Sequence, residues 1–114
     1  MSTPPKIKQD PVYQLLRERK VKEFNDLKSK GTQCDLTNCD FRGLNLRGLD
    51  ADGLDFTGSY FKHSDVRGID FSNAGMNYCS IKEAKISGAL FPKELSAEEI
   101  NLSLVHGTIM RYKN

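Results

Sequence analysis

The chain of 114 residues lacks any run of apolar residues long enough to span a bilayer. Met1 to Asp10 is polar and proline-rich, so no secretory signal is expected and the cytoplasm is the expected compartment. Cysteine is scarce: Cys34, Cys39 and Cys79 make an odd number, which agrees with a reducing compartment. A dominant charge is also missing. Seventeen basic residues against fifteen acidic ones give a net charge of +2, which excludes neither nucleic acid nor protein as a partner.

Signatures of catalysis and metal binding are equally thin. His63 and His106 lie far apart, with no cysteine or carboxylate at ligand spacing. Asp50-Ala51-Asp52-Gly53-Leu54-Asp55 resembles part of a calcium loop, but the spacing fails at Leu54 and no glutamate closes the loop. The glycines recur every five residues, as turns require, and form no phosphate-binding loop. Nothing pairs a nucleophile with a base. No cofactor, metal site or catalytic residue is therefore expected, and the chain is expected not to be an enzyme.

What is present is a register. From Cys34 to Lys93 the sequence divides into twelve five-residue words: CDLTN, CDFRG, LNLRG, LDADG, LDFTG, SYFKH, SDVRG, IDFSN, AGMNY, CSIKE, AKISG and ALFPK. Every central residue is apolar, from Leu36 and Phe41 to Ile86 and Phe91, and the residue two positions earlier is always small or apolar. A period of five fits neither a strand nor a helix as one continuous element. It fits short extended segments joined by tight turns, with the same two positions of each word pointing inward. Gly or Asn ends seven of the first eight words, where a turn needs a residue tolerant of positive φ. The three cysteines fall on the small inward position and read as compact core filler.

These words resemble the pentapeptide-repeat family, whose pattern is a small residue, Asp or Asn, Leu or Phe, and two polar residues. The resemblance covers residues 34–93. It implies an all-β solenoid, a right-handed quadrilateral β-helix with four words per coil and about three coils. The single domain is then organised as a disordered tail over 1–9, an N-terminal capping helix over 10–31, the repeat region over 34–93, and a C-terminal helix and tail over 94–114.

Both flanks carry helix signals. Asp10-Pro11 reads as an N-cap with proline at the first helical position, and Gly31 supplies the stop. Val12, Leu15, Leu16, Val21, Phe24 and Leu27 make an apolar stripe suited to covering the N-terminal mouth. Arg17, Arg19, Lys20, Lys22, Lys28 and Lys30 are assigned to the opposite, solvated face. In the C-terminal segment, Ser96 and Glu99 form a capping box, with His106-Gly107 as the stop.

With four words per coil, residues twenty apart stack. The second side then carries Arg42, Lys62 and Lys82; the third carries Arg47, Arg67 and Ser87, with Lys85 close by. Asp50 and Asp70 on the fourth side, and Asp35 and Asp55 on the first, with Asp52 added, make an acidic counterpart. The expected function is a non-catalytic interaction or scaffold protein whose partner-binding residues are Arg42, Lys62, Lys82, Arg47 and Arg67. The family resemblance adds an alternative, protection of a type II topoisomerase such as DNA gyrase by mimicry of duplex DNA. Against it, the repeat region holds eight acidic residues and seven Lys and Arg. A further alternative is weak nucleic-acid binding through the basic helix and basic columns. No membrane partner is expected. Asp or Asn disappears from the second position of the last four words, and Tyr78, Leu90, Ile100 and Leu104 form the expected dimer or covered surface, with a homodimer as one reading.

Overall fold

A computed structural model describes residues 5–113. Its organising contact is a parallel bridge between residues twenty apart: Asp40 with Tyr60, Tyr60 with Ser80, Asn45 with Asp65, Asp65 with Lys85, Asp55 with Gly75, and Asp70 with Leu90. Words twenty residues apart therefore form columns, and four successive words form a tier. The first column holds words 34–38, 54–58 and 74–78, and the second to fourth columns follow in order.

Among the described residues these pairings are isolated bridges and not continuous strands. The reason lies within the word, because the turn takes up most of its five residues. The carbonyl of a word's central residue accepts from the amide that opens the next word, as in Leu49 N to Leu46 O at 3.0 Å and Ser59 N to Phe56 O at 2.9 Å. In ten of the twelve words the fifth position has positive φ, as the third residue of a type II turn does; Asn73 and Lys93 are the exceptions. Glycine meets that need in six words, but Asn38, His63, Tyr78 and Glu83 adopt it too, at φ between 53° and 66°.

The second position has its own local task. Each Asp or Asn there accepts a hydrogen bond from the amide two residues on: Asp35 from Thr37, Asp40 from Arg42, Asn45 from Arg47, Asp50 from Asp52, Asp55 from Thr57, Asp65 from Arg67 and Asp70 from Ser72. A short acceptor on a two-atom tether favours this turn over other backbone conformations.

Inward-facing residues fill the interior. Phe41 and Phe61 stack at 5.0 Å, Phe71 and Phe91 stack at 6.0 Å, and Phe56 meets Phe41, Phe61 and Phe71 edge-on at 5.5 to 5.8 Å. Burying such a ring is worth about 1.5–3 kcal/mol. Polar atoms at inward positions are satisfied: Ser59 Oγ donates to Leu36 O at 2.6 Å and accepts from Cys39 N at 2.9 Å, replacing the direct bond across the first turn. All three cysteines are free, and Cys39 and Cys79 are buried. Burial pushes the Cys39 thiol up to about 11 and those of Cys34 and Cys79 to about 12, so all three stay protonated filler.

The N-terminal cap differs from the expected single helix. It consists of α1 (Pro11–Arg17) and α2 (Val21–Ser29), broken where Arg19 takes φ 62°. A straight helix of twenty residues would be about 30 Å long, whereas the molecule measures 35 × 29 × 25 Å. Breaking it lets Tyr13 and Leu16 of α1 and Phe24 of α2 all bury on one mouth. Asp10 caps α1 by accepting from Val12 N and Tyr13 N. Tyr13 sits edge-on to Phe41 at 5.6 Å, and its hydroxyl donates to Asp40 O at 2.6 Å.

Two further expectations about this end are corrected. Of the tail expected to be disordered, residues 5–9 are part of the fold, and residues 1–4 lie outside the described residues. Lys6 pairs in parallel with Cys39, bonding Asn38 O at 2.8 Å and Asp40 N at 2.9 Å, while Lys8 Nζ reaches Thr37 O at 2.6 Å. Nor do all six cations assigned to the solvated helix face stay there. Arg17 donates to Asp40 O at 3.1 Å, and Lys28 pairs with Asp50 at 3.1 Å. Open edge carbonyls and a nearby carboxylate draw these cations inward.

The C-terminal segment covers the other mouth. α3 (Ala97–His106) is capped by Ser96 and ends at Gly107, with φ 76°. In the first two columns the third tier's outward amides, which have no fourth tier to meet, find partners in this segment. Met76 N bonds Tyr112 Oη, Tyr78 N bonds Met110 O, Ile81 N bonds Ser103 Oγ, and Glu83 N bonds Leu104 O, at 2.7 to 3.0 Å.

Candidate interaction surface

Apart from Glu83 and Lys93, charged side chains leave the columns at the second and fourth positions of each word, so turn geometry dictates which cations lie beside which carboxylates. On the second column Arg42 folds back onto Asp40 of its own word, with Nε 2.9 Å from Oδ1 and Nη2 2.8 Å from Oδ2. The guanidinium beside it, together with the Arg42 amide, holds the Asp40 carboxyl below the usual carboxylate range. Arg42 is thus largely committed to its neighbour. Lys82 lies half-buried with its stem under Gly107, where a β-carbon would come within 2.8 Å of it. Among the described residues no carboxylate stands within ion-pair distance of Lys62 or Lys82. At the corner of this column His63 Nδ1 stands 3.1 Å from Glu83 Oε2.

The third column is arranged differently. Arg67 grips Asp65 with Nε at 2.9 Å and Nη2 at 2.7 Å, and Arg47, one tier away, approaches the same carboxylate with Nε at 3.5 Å. Held first by Arg67 and then by Arg47, Asp65 is pushed down to about 2. Lys85 lies exposed beyond them. One carboxylate therefore faces three cations. The break between α1 and α2 adds two more at the N-terminal end of the column, because Arg19 and Lys22 line a hollow with Asn45, Arg47 and Gly48.

The acidic columns are occupied by structural work. Asp35 takes the amide and hydroxyl of Thr37 and pairs with Lys8 at 3.3 Å; Asp55 takes the amide and hydroxyl of Thr57. Asp50 meets Lys28 and Asp52, Asp52 accepts from Asn73 at 3.0 Å, and Asp70 accepts from Ser72. Those bonds hold Asp35, Asp50 and Asp70 below the usual carboxylate range; the leading causes are Thr37, Lys28 and Ser72.

The apolar candidates divide in two. Tyr78 and Leu90 are exposed at 51% and 56%, whereas Ile100 and Leu104 pack against the core. Leu102 and Val105 are the exposed apolar residues of α3. Among the described residues no three His, Cys, Asp or Glu side chains group as metal ligands, and no helix is long and apolar enough to cross a membrane. The five-residue register brings Arg47 and Arg67 together but leaves Arg19 and Lys22 on a helix face, since nothing in Glu18-Arg19-Lys20 marks a break.

Comparison with known proteins agrees with the register. The family described as pentapeptide repeats matches the chain in eight copies over residues 32–62 and 55–91. No curated protein and no solved structure matches. With its words bridged at intervals of twenty residues and more than half its length matched, the chain belongs to the pentapeptide-repeat family.

Proposed function

We propose that the chain is a non-catalytic interaction protein, a right-handed quadrilateral β-helix of three coils that offers its third side to an acidic protein partner. Support for the coil comes from the parallel bridges at twenty-residue spacing and the turn at each word boundary. The observation that carries the choice of side is the unequal use of carboxylates. On the second side Arg42 has Asp40 to itself, and Lys62 and Lys82, though unpaired among the described residues, are half-buried; on the third side the exposed Arg47 and Arg67 share Asp65, with exposed Lys85 close by. The third side thus keeps cationic capacity for a partner, which would steer its approach and set its orientation.

Mimicry of DNA draws no support from the carboxylates, since Asp35, Asp50, Asp55 and Asp70 accept from amides of their own words. Changing Arg47, Arg67 and Lys85 together to Ser should abolish partner capture, while changing Arg42, Lys62 and Lys82 together should spare it. The opposite pattern would move the surface to the second side. Retention by both variants would end the basic-surface reading.

A further inference from the structure

We propose that the hollow between the α1–α2 break and the start of the third column binds a small phosphate-class anion. The inference rests on the third side as the working surface and gives its N-terminal end a ligand. Arg19, Lys22 and Arg47 line the hollow with Val21, Asn45 and Gly48, so three cations converge on one depression whose lining holds no carboxylate.

Two nearby carboxylates are already engaged. Glu18 pairs with Lys20 at 3.2 Å, and Asp65 holds Arg67 at 2.7 Å, leaving Arg47 at the longer 3.5 Å. Glu23 follows Lys22 on α2 and makes no ion pair among the described residues. Arg19 is fixed at the rim by the chain reversal, in which its amide bonds Leu16 O at 3.2 Å and the next amide, of Lys20, bonds Leu15 O at 2.8 Å. A left-handed conformation at a non-glycine residue costs about 1–2 kcal/mol, and here it accompanies the placing of Arg19 beside the column. Two guanidinium groups and an ammonium suit an anion with several oxygens and more than one charge. Phosphate carries about −1.5 to −2 at neutral pH with three strong acceptor oxygens, and guanidinium forks match it pairwise.

Titration of the ¹⁵N-labelled full chain with sodium phosphate, against sodium chloride at matched ionic strength, reads the hollow directly. Saturating amide shifts are expected at Val21, Lys22, Asn45 and Gly48, with acetate binding more weakly. Arg19→Gln with Lys22→Gln should weaken phosphate binding by roughly tenfold, whereas Arg42→Gln should leave it unchanged. Pyrophosphate and a ribonucleoside monophosphate distinguish an inorganic from an esterified source. Shifts that fail to saturate, that spread over every basic residue, or that persist in the double variant would overturn the proposal. No partner is needed for this measurement, so its failure leaves the partner reading, which depends on Arg47, Arg67 and Lys85 together, to its own capture test.

Discussion

Asn25 does with its side chain what Lys6 does with its backbone. The Asn25 carboxamide donates to Gly48 O at 2.9 Å and accepts from Asp50 N at 3.0 Å, bracketing Leu49; the Lys6 peptide bonds Asn38 O and Asp40 N, bracketing Cys39. The fourth and second columns are thereby closed at the N-terminal edge by the same pair of bonds. An open edge of a stacked fold exposes amides and carbonyls that invite pairing with another chain. Here a helix side chain and an incoming segment meet part of that demand.

Replacing Asn25 with Ala should therefore destabilise the chain by about 1–2 kcal/mol, the combined worth of two partly exposed hydrogen bonds. Asn25→Asp should not restore the loss, because a carboxylate cannot donate to Gly48 O and would stand beside Asp50. Urea denaturation checks both, and an Asn25→Asp variant as stable as wild type would refute the bracketing account.

The two inward serines offer a sharper comparison. Ser59 bridges Leu36 O and Cys39 N across the first turn, where no direct bond exists, whereas Ser64 donates to Phe61 O, which also receives the Ser64 amide. Ser59→Ala leaves a buried donor and a buried acceptor unpaired and should cost about 2–3 kcal/mol; Ser64→Ala should cost about 1 kcal/mol. Equal losses on thermal unfolding would contradict the bridging role.

Most of the interior is legible in the sequence because a strict register makes every word repeat the same inward positions. From Leu36 to Ile81 each central residue is buried, and Ile86 and Phe91 in the last two words are partly so. Edges are harder to read. Lys6, Asn25 and Ser103 close open tiers, and each belongs to a residue type that local pattern assigns to surface or tail. Their role arises only after the chain returns from more than twenty residues away. The second-position aspartates pass for surface charge when only the columns are considered, although a short carboxylate two residues before a turn amide is a local signal. Tyr13 is readable too, lying three residues before Leu16 on the buried face.

Phe56 is the ring through which three others communicate, in edge contact with Phe41, Phe61 and Phe71. Phe56→Ala should cost about 3–5 kcal/mol and Phe56→Leu distinctly less, since Leu refills part of the cavity. Near-ultraviolet circular dichroism with chemical denaturation would measure both. A loss for Ala no larger than that for Leu would mean that the ladder relaxes around the gap.

Tyr78 holds φ 66° with its side chain half exposed, at a corner where Gly58 occupies the matching position one tier earlier. Tyr78→Gly should relieve a left-handed conformation at the cost of added freedom in the unfolded chain, for a net gain of about 0.5–1 kcal/mol. The converse change, Gly58→Ala, should destabilise by about 1–2 kcal/mol, because alanine would be held at φ 76° and the Asn38 side chain would have to turn aside from its β-carbon. A melting temperature that falls in Tyr78→Gly would show that the tyrosine ring itself stabilises the corner.

Acid should loosen the third column last. Asp40, Asp50, Asp35 and Asp70 are held below the ordinary aspartate value, and Asp65 is held at about 2 by Arg67 and then Arg47. A carboxylate whose folded pKa lies below its unfolded one, about 3.9, binds fewer protons when folded. Its contribution is complete above that unfolded value and disappears as pH falls through the folded one. Stability should therefore be level from neutrality to about pH 5 and decline between about pH 4 and 2. Asp65→Asn should flatten the lower part of that decline, because it removes the group with the lowest value. Denaturation midpoints measured at half-unit steps test this, and a variant whose decline matches wild type down to about pH 2 would show that the Arg67 and Arg47 pairing makes no difference to folding.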